Sequence, residues 1–369
     1  MKKLLLGNGA IARGLYEAGC RFVSSYPGTP STEVTEEAAL YPEIYAEWAP
    51  NEKCAMEAAL GASIAGARAA TAMKHVGLNV AADPLFTASY TGVNGGMVVI
   101  VADDPGMHSS QNEQDSRHHA IASKLPMLEP GDSAECRDYA KLAFTLSEQF
   151  DTPVLLRTCT RVAHSQSLVE LFDREECPLS EYTKNPAKFV MTPGNAIPAH
   201  VRVEQRTEAL RQWNENSPIL KEEMSSGEWG IITSGISYQY VKEALPDASV
   251  LKIGMVNPLP LERMAAFAKK VKKLAVVEEL DPIMEEQLRA MGVHVDLGKK
   301  ELGLLGEYSQ SRIRAAFGIA NPENQKLEEP LPVRPPVLCP GCPHRGLFHV
   351  LHKLKVRVSG DIGCYTLGA

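Results

Sequence analysis

The sequence predicts an α/β fold in which helices cover both faces of a parallel sheet. Three short segments, residues 70–74, 97–102 and 153–157, are almost continuously apolar. Apolar strands that alternate with helical segments are typical of parallel sheets buried on both faces. The chain also contains 28 glycines and 25 prolines but only 6% aromatic residues. This composition favours a turn-rich enzyme over a coiled coil or a disordered chain.

The first 165 residues alternate between strand and helix patterns. Residues 10–19 have helical spacing and end on a glycine, which is common just past the end of a helix. Ser31 stands where a serine can cap the start of a helix. In chain order, the predicted elements are a strand or helix lead-in at 4–6, a helix at 10–19, a strand at 21–25, a helix from Thr32, a long helix at about 51–68, and the three apolar strands.

A change of character near residue 178 predicts a domain boundary. The residues from there to 228 are polar with scattered prolines, which indicates a connector with one helix at 203–214. A second α/β unit follows, with predicted strands at 229–233, 250–253 and 274–278, helices at 237–244 and 261–270, and one further candidate strand at 294–297. We therefore predict a first domain at 1–178, a connector at 179–228, a second domain at 229–326, a proline-rich linker at 327–336 and a third unit at 337–369.

Charge and hydropathy exclude several classes of protein. The formal net charge is −7 and the one dense basic run, residues 269–273, is short, so nucleic acid is not an expected partner. The apolar start breaks at Gly7, too early for a signal peptide. The longest apolar window, residues 55–72, contains Glu57 and Arg68 and predicts a buried helix rather than a membrane span. The eight scattered cysteines do not form a disulfide framework, which favours the cytoplasm.

Residues 7–14 contain three glycines and suggest a dinucleotide-binding turn. That motif requires its third glycine where Ala12 stands, and no acidic residue follows at a strand end about 20 residues later. A tight turn into a helix is therefore a better interpretation than a nicotinamide site.

The loop at residues 26–31 follows a predicted strand, at the end of the strand where α/β sheets place their sites. Two prolines restrict its backbone, Gly28 permits close approach, and Thr29 offers a hydroxyl. A stiff loop before a helix is the structural alternative. It accounts for Ser31 but not for so many constrained positions.

Two further polar segments follow predicted strands. Lys74 and His75 end one strand and precede a predicted loop, and a long polar loop occupies residues 106–119 after the next strand. Long polar loops at strand ends often form sites, although a solvated surface loop has the same composition. The three histidines of the long loop have no helical spacing that would bring them together, so a metal site is not expected there.

The predicted helix that begins near Glu52 is rich in alanine and glycine. Its small residues provide a flat face for close packing against a cofactor or another subunit. Glu52 and Glu57 are five residues apart and do not share a helix face well. A carboxylate at the head of a helix also compensates the helix dipole, so catalytic and structural interpretations of Glu52 both remain open at this point.

The segment Cys339-Pro340-Gly341-Cys342-Pro343-His344 suggests a metal knuckle. With Cys364, the two cysteines and the histidine provide four potential ligands, but the spacing matches neither a standard zinc site nor an iron–sulfur run. A rigid turn with two buried thiols is the better interpretation.

Taken together, these segments resemble the 2-oxoacid:ferredoxin oxidoreductases that use thiamine diphosphate, and most of all their α subunits that act on indolepyruvate. The resemblance extends over the whole chain. The segments that carry it are residues 26–31, 48–53, 61–68, 73–84, 103–106, 233–238, 277–282 and 339–345.

The resemblance implies a thiamine-diphosphate-binding fold. The first domain corresponds to a pyrimidine-binding domain, the second to a transketolase C-terminal-like α/β domain, and the residues from 337 onward to the beginning of a diphosphate-binding domain. In this family a glutamate hydrogen-bonds the aminopyrimidine and so promotes loss of the proton from the thiazolium carbon.

The resemblance also implies roles for individual residues. Glu52 matches the catalytic glutamate, with Glu57 as the alternative, and Thr29 matches the threonine beside the substrate and the thiazolium ring. His75 and His108 are candidates to hydrogen-bond the substrate carboxylate. The implied cofactor-binding residues are Tyr26, Pro27, Gly28, Glu52, Lys74 and His75.

The implied reaction is oxidative decarboxylation of an arylpyruvate. Coenzyme A takes the acyl group, and electrons pass through iron–sulfur clusters to ferredoxin. The implied partners are a smaller β subunit and further copies in a homo- or hetero-oligomer. Two alternatives stay open: a non-oxidative 2-oxoacid decarboxylase divided over two chains, and a catalytically inactive assembly module.

Two departures from the family pattern bear on the cofactors. The Gly-Asp-Gly motif with its following asparagine, which holds Mg²⁺ and the diphosphate, is absent, and residues 360–363 read Gly-Asp-Ile-Gly instead. The ferredoxin-like cysteine run is absent as well. We therefore expect a C-terminal truncation at Ala369, Mg²⁺ and clusters held only by the complete enzyme, and no 2-oxoacid oxidation by this chain alone.

Overall fold

The computed structural model describes residues 1–322, 329, 331–332, 337–360 and 363–368. The chain divides into two compact units, Met1–Asn321 and Pro322–Ala369. Most of the predicted linker at 327–336 lies outside the described residues, as do Asp361 and Ile362 of the Gly-Asp-Ile-Gly segment. The boundaries predicted at 178, 228 and 326 stay predictions.

The strands belong to three sheets. They are β1 (Lys2–Leu6), β2 (Phe22–Ser25), β3 (Tyr45–Trp48), β4 (Ala69–Lys74), β5 (Met97–Asp103), β6 (Met127–Leu128), β7 (Val154–Cys159), β8 (Gln166–Glu170), β9 (Lys221–Glu223), β10 (Trp229–Ser234), β11 (Ser249–Ile253), β12 (Met255–Asn257) and β13 (Lys273–Val277). A seven-stranded sheet has the order β12-β6-β7-β5-β4-β2-β3, a four-stranded sheet the order β13-β10-β11-β9, and β1 pairs with β8.

The first unit contains fifteen helices among the described residues, which lie before, between and after these strands. They are α1 (Gly7–Glu17), α2 (Thr32–Ala38), α3 (Glu52–Ile64), α4 (His75–Val80), α5 (Ala82–Thr91), α6 (Arg117–Ser123), α7 (Ser133–Phe150), α8 (Thr160–His164), α9 (Pro186–Phe189), α10 (Pro193–Glu215), α11 (Gly235–Ala244), α12 (Leu261–Ala268), α13 (Ile283–Ala290), α14 (Lys299–Leu302) and α15 (Gln310–Ala316). In the second unit, α16 (His344–Leu354) is followed by a 3₁₀ turn (Cys364–Gly368).

The centre of the seven-stranded sheet is parallel and covered on both faces, as the apolar strands predict. Every residue of β4, β5 and β7 is buried. Side chains of successive strand residues point to opposite faces. Val98 and Ile100 accordingly pack with Ile11 and other residues of α1 and α7, whereas Val99 packs with Met56 and other residues of α3 and α5.

The edges of the sheets differ from the predicted all-parallel arrangement. β12 pairs antiparallel with β6, and β9 pairs antiparallel with β11. β12 comes from the second predicted domain yet completes the sheet of the first. The candidate strand at 294–297 is wrong, since only Leu297 forms a single bridge, to Ala275.

Two helix predictions are wrong in their bounds. α3 ends at Ile64 rather than near residue 68, because Gly66 adopts a φ of 100° that leaves the helical region. The window at 55–72 therefore holds the end of α3 and the start of β4 rather than one helix. The helix α10 is longer than the predicted 203–214, and it contains Pro198 in its interior. No helix among the described residues is long and apolar enough to cross a membrane.

A buried network of charges links the two larger sheets. Arg117, at the start of α6, pairs with Asp115 at 2.6 Å and with Glu278, just past β13, at 2.5 Å. All three side chains are 1% exposed. Arg157 of β7 pairs with Asp103 at 2.7 Å in the same region. The network joins groups that are more than 160 residues apart in the chain.

Glu279 lies beside this network and is 8% exposed. Its Oε1 accepts a hydrogen bond from the Tyr308 amide at 2.8 Å. Burial raises the pKa of Glu279 to about 7. The folded state therefore binds a proton here that the unfolded chain has already released.

The E279Q variant is expected to unfold with a larger free energy than the parent at pH 8 and with an equal one near pH 4.5. The raised pKa gives stability that is complete below the unfolded pKa and is lost as the pH rises towards 7. The difference between pKa 4.5 and about 7 corresponds to at most about 3 kcal/mol. Urea unfolding of both chains at the two pH values measures it. E286Q, at an exposed position on α13, is the control, and an equal gain there would contradict the assignment to Glu279.

Candidate active site

The predicted site residues follow strands that end at the same edge of the seven-stranded sheet. β2, β4, β5 and β7 are neighbours and run parallel. Their carboxyl ends therefore lie side by side, and those of β2, β4 and β5 are each followed by one of the segments singled out in the sequence. The order across this edge is the loop at 26–31, Lys74 with α4, the loop that begins at Asp104, and α8.

The loop at 26–31 is held by hydrogen bonds to its own backbone and to α1. The amide of Gly28 donates to Thr32 Oγ1 at 3.0 Å, and Asn8 Nδ2 donates to the carbonyl of Pro30 at 2.6 Å. The predicted cap by Ser31 is wrong, because its hydroxyl donates back to the Gly28 carbonyl at 2.9 Å and does not accept from the helix. The last two residues of the loop, Pro30 and Ser31, are buried.

Three side chains of this loop are open to solvent. Tyr26, Pro27 and Thr29 are exposed, whereas Gly28 faces Lys74 of the next strand. A Cβ on Gly28 would lie 3.2 Å from Lys74 Cβ. The Thr29 hydroxyl donates no hydrogen bond to another described residue, so it is available to a ligand.

Glu52 is the first residue of α3, and Asn51 caps the helix by accepting a hydrogen bond from the Cys54 amide at 2.9 Å. Among the described residues, no other side chain donates to the Glu52 carboxylate. Burial raises its pKa above the ordinary value for a glutamate. Its one partner among the described residues is its own backbone amide, so this half-buried carboxylate remains suited to a hydrogen bond with a bound ring nitrogen.

The carboxylate of Glu52 rests against Gly77 of α4. A Cβ on Gly77 would lie 2.4 Å from Glu52 Oε1 and 2.7 Å from its Cγ. A glycine at position 77 is therefore required for Glu52 to keep its position, because any side chain there would overlap the carboxylate. Residues 73–84 are one of the segments that carry the family resemblance, but no local pattern singles out Gly77.

Glu57 has a different environment. It is exposed and lies 3.9 Å from Lys53, which makes a closer contact of 2.7 Å with Asp83. Exposed ion pairs of this kind contribute little to stability. The surroundings of Glu57 are those of a surface residue, whereas Glu52 lies in the candidate site.

Lys74 and His75 both contact the loop that follows β5. Lys74 Nζ donates to the carbonyl of Ser109 at 2.8 Å, and His75 Nε2 lies 3.1 Å from the carbonyl of Asn112. The loop predicted after Lys74 is wrong, since α4 starts at His75. His75 is fully buried and its Nδ1 has no hydrogen-bond partner among the described residues.

Asp104 holds the loop at 106–116, a role that the sequence suggested only through an aspartate at a strand end. One oxygen accepts from the Ser109 amide at 2.9 Å and from the Ser110 hydroxyl at 2.6 Å, and the other accepts from the Thr160 hydroxyl at 2.6 Å. Burial alone would raise the pKa of Asp104, but these donors lower it below the ordinary value. The predicted loop at 106–119 is shorter than expected, because α6 begins at Arg117.

His108 lies towards the outside of this loop. It is 48% exposed, and its Nε2 lies 3.4 Å from Glu307, which also pairs with Arg161 at 2.6 Å. These residues line an open cavity of about 340 Å³ together with His164. The structure gives no contact between His108 and His75 or Lys74.

The cysteine segment near the end of the chain does not match its interpretation as a turn with two buried thiols. Cys339 is exposed and Cys342 is half-buried, with its Sγ 3.3 Å from His344 Nδ1. Where the chain is described, no three His, Cys, Asp or Glu residues cluster closely enough to hold a metal ion.

Comparison with known proteins gives one family for the larger part of the chain. Residues 13–224 match the family described as pyruvate flavodoxin/ferredoxin oxidoreductase, thiamine diphosphate-binding. The chain is similar to the indolepyruvate oxidoreductase subunit IorA of Archaeoglobus fulgidus, at 41% identity over 100% of this chain and 64% of that protein. The same subunit of Pyrococcus abyssi is 41% identical over 99% of this chain and 62% of that protein. The chain thus spans slightly less than two thirds of the length of these relatives.

A solved structure shares the fold. The 2-oxoglutarate:ferredoxin oxidoreductase of Magnetococcus marinus, with 2-oxoglutarate, coenzyme A and succinyl-CoA bound, superposes with a TM-score of 0.70 over 86% of this chain and 65% of that one. The sequence identity is 20%. The likeness confirms the predicted class of fold.

Proposed function

Since the chain belongs to the thiamine-diphosphate-binding family of pyruvate flavodoxin/ferredoxin oxidoreductases, we propose that it is the α subunit, or part of it, of an enzyme that oxidatively decarboxylates arylpyruvates. Indolepyruvate is the proposed substrate, because the relatives that match the whole chain are named for it. Coenzyme A is the proposed acyl acceptor and ferredoxin the proposed electron acceptor.

The observation that carries the proposal is the half-buried carboxylate of Glu52, to which no other described residue donates a hydrogen bond. When bound, thiamine diphosphate supplies a carbon nucleophile for the 2-oxo group and an electron sink for loss of carbon dioxide. Glu52 would share a proton with a ring nitrogen of the aminopyrimidine, and its raised pKa favours such sharing near neutral pH. The exposed side chains of the 26–31 loop would line one side of a flat ring there.

The other residues of the site would bind and orient the cofactor and the substrate. Tyr26, Pro27 and Gly28 would line the cofactor side, and the free hydroxyl of Thr29 would donate to the substrate. In this proposal, residues other than the described ones bind Mg²⁺, the diphosphate and the iron–sulfur clusters. A smaller β subunit is the proposed partner chain. We place the enzyme in the cytoplasm, in keeping with eight free thiols.

The test is indolepyruvate-dependent reduction of methyl viologen by the complete gene product, purified with its partner subunits and supplied with thiamine diphosphate, Mg²⁺ and coenzyme A. Reduction that requires every component is the expected result. Turnover of 2-oxoglutarate but of no arylpyruvate would contradict the substrate class and leave the reaction type intact.

The same assay separates the two alternatives. Release of the aldehyde without reduction of viologen indicates a non-oxidative decarboxylase. Failure to bind thiamine diphosphate with or without partner subunits indicates an assembly module and contradicts the role of Glu52.

The G77A variant is expected to lower kcat by about 10- to 100-fold, because a misplacement of the catalytic carboxylate by a fraction of an ångström is costly. A methyl group on Gly77 would overlap Glu52 Oε1, so Glu52 must move, while alanine suits the helical backbone of α4. The thermal midpoint should therefore not fall. G61A is the matched control, since a Cβ at this glycine of α3 meets nothing within 4 Å. Equal kcat values for both variants would show that Gly77 does not position Glu52.

A further inference from the structure

We propose that Lys74 is the counter-ion for the carboxylate of the 2-oxoacid, a role that rests on the proposed function and differs from the cofactor contact implied by the family resemblance. Three observations support it: the position of the ammonium group, its unused hydrogen-bonding capacity, and the hydrogen bonding of its neighbour His75.

Lys74 lies between the two loops of the candidate site. It ends β4 and is 9% exposed. Its aliphatic chain runs along Gly28, since a Cβ on that glycine would lie 3.2 Å from Lys74 Cβ and 3.8 Å from Cδ. Its ammonium reaches the Ser109 carbonyl at 2.8 Å. A ligand enclosed between the loop at 26–31 and the loop at 106–116 would therefore meet the Lys74 ammonium.

The ammonium of Lys74 has bonding capacity to spare. It carries three donors, and among the described residues one acceptor, a neutral carbonyl, occupies one of them. No carboxylate of the described residues lies within 4.0 Å. Asp104 acts on it from a greater distance, and both Asp104 oxygens already accept hydrogen bonds from Ser109, Ser110 and Thr160.

The other two lysines that are buried among the described residues each have two acceptors: Lys299 donates to the Glu278 carbonyl and to the Tyr308 hydroxyl, and Lys252 donates to a carboxylate. Lys252 is 1% exposed and donates to both oxygens of Glu135 at 2.6 Å. Buried charges are ordinarily paired in this way, because an unpaired charge loses its hydration without compensation. Burial lowers the pKa of Lys74 for this reason. An anion bound against Lys74 would supply the missing partner.

His75 cannot take this role while its ring is neutral. Its Nε2 faces the Asn112 carbonyl at 3.1 Å, and a carbonyl can only accept, so Nε2 carries the proton. The buried Nδ1 is then an acceptor, which repels a carboxylate. This assignment separates the two residues that the sequence grouped together: His75 braces the loop at 106–116, and Lys74 remains as the cation of the site.

Two anions could lie against Lys74: the substrate carboxylate and the diphosphate of the cofactor. The K74M variant distinguishes them in the assembled holoenzyme, because methionine keeps the apolar stem and removes the charge. The expected result is a rise in KM for indolepyruvate of about 10- to 100-fold, the effect of losing one hydrogen bond to a charged group. The Kd for thiamine diphosphate and hydrogen–deuterium exchange at its thiazolium carbon should not change.

The neutral analogue indole-3-acetaldehyde provides the second arm, since it lacks the carboxylate. Its inhibition constant, measured from thiazolium hydrogen–deuterium exchange in the absence of indolepyruvate, should be the same for K74M and the parent. K74R should reverse part of the rise in KM. K124M is the control variant, because Lys124 is exposed and pairs with Glu204 at 2.8 Å. Circular dichroism and thermal midpoints verify that each variant folds.

An unchanged KM for indolepyruvate in K74M would overturn the inference. A weaker Kd for thiamine diphosphate would assign Lys74 to the diphosphate, and equal losses for indolepyruvate and the neutral aldehyde would assign it a structural role in holding Ser109. Failure of the proposed function gives a different result, namely no thiazolium exchange in the parent enzyme, and the inference falls with it.

Discussion

Replacing Glu52 with glutamine in the assembled holoenzyme is expected to slow hydrogen–deuterium exchange at the thiazolium carbon of thiamine diphosphate by about 10²- to 10⁴-fold, the usual contribution of a positioned acid–base group. Glutamine keeps the shape of Glu52 and its contact with Gly77 but cannot share a proton with the aminopyrimidine. Among the described residues only its own backbone amide donates to the carboxylate, so the change removes little else. The exchange rate is measured by proton NMR after acid quench.

The E57Q variant provides the control on the same helix. Glu57 is exposed and lies near Lys53, so its exchange rate should equal that of the parent. Fast exchange in E52Q together with slow exchange in E57Q would move the catalytic role to Glu57. Fast exchange in both would show that neither carboxylate activates the cofactor, and would contradict the assignment of this edge of the sheet as the active site.

The class of fold could be predicted from the sequence because the central strands, β4, β5 and β7, are largely apolar on both faces. Such strands between helices are typical of a covered parallel sheet. The general position of sites in α/β sheets then predicted a site at the carboxyl ends of these strands, and the family resemblance, which is confirmed, implied which residues there have a role. Within the site, the position of Glu52 at the start of a helix favoured it as the catalytic glutamate. Glu57 remained the alternative, because it is a carboxylate on the same helix. Burial, which distinguishes them, depends on α4, and α4 was predicted as a loop.

The contacts that hold the two larger sheets together could not be predicted from local patterns. Arg117 reaches Glu278 across 161 positions of sequence, and neither residue differs in its neighbourhood from a surface charge. β12 likewise joins a sheet that begins in another predicted domain. Pairings of this kind depend on how finished elements pack, and periodicity carries information only about each element alone. The hydrogen bond of Ser31 could not be predicted either, because a serine hydroxyl before a helix can accept from the helix or donate to the backbone of the preceding loop.

The R117M variant is expected to lose about 3 to 5 kcal/mol of unfolding free energy at pH 8, the effect of leaving buried charges without a partner. The Arg117 guanidinium donates to Asp115, to Glu278, and to the carbonyls of Glu279 and Asp281 at 2.9 and 2.8 Å. Methionine fills part of the volume but supplies none of these donors. Urea unfolding followed by tryptophan fluorescence measures the loss.

The loss should be smaller at pH 5 than at pH 8. Burial alone would raise the pKa of Asp115, and Arg117 and Arg157 lower it below its ordinary value. Burial raises the pKa of Glu278 even with Arg117 present. Without Arg117 both carboxyls titrate higher in the folded state, so the stability of the variant falls as the pH rises through these pKa values. A loss independent of pH would indicate that lost packing, rather than unpaired charge, dominates.

Two further variants separate the charge effect from a general sensitivity to lost arginines. R211M removes an exposed cation that pairs with Glu208 at 2.7 Å, and its loss should be at most about 1 kcal/mol. Combining R117M with D115N and E278Q should restore part of the stability, because the buried carboxylates are then neutral. If the triple variant were less stable than R117M alone, the two carboxyls would have to be stabilised by other groups, Arg157 among them. The link between the two sheets would then rest on hydrogen bonds to the Glu279 and Asp281 carbonyls rather than on the ion pairs.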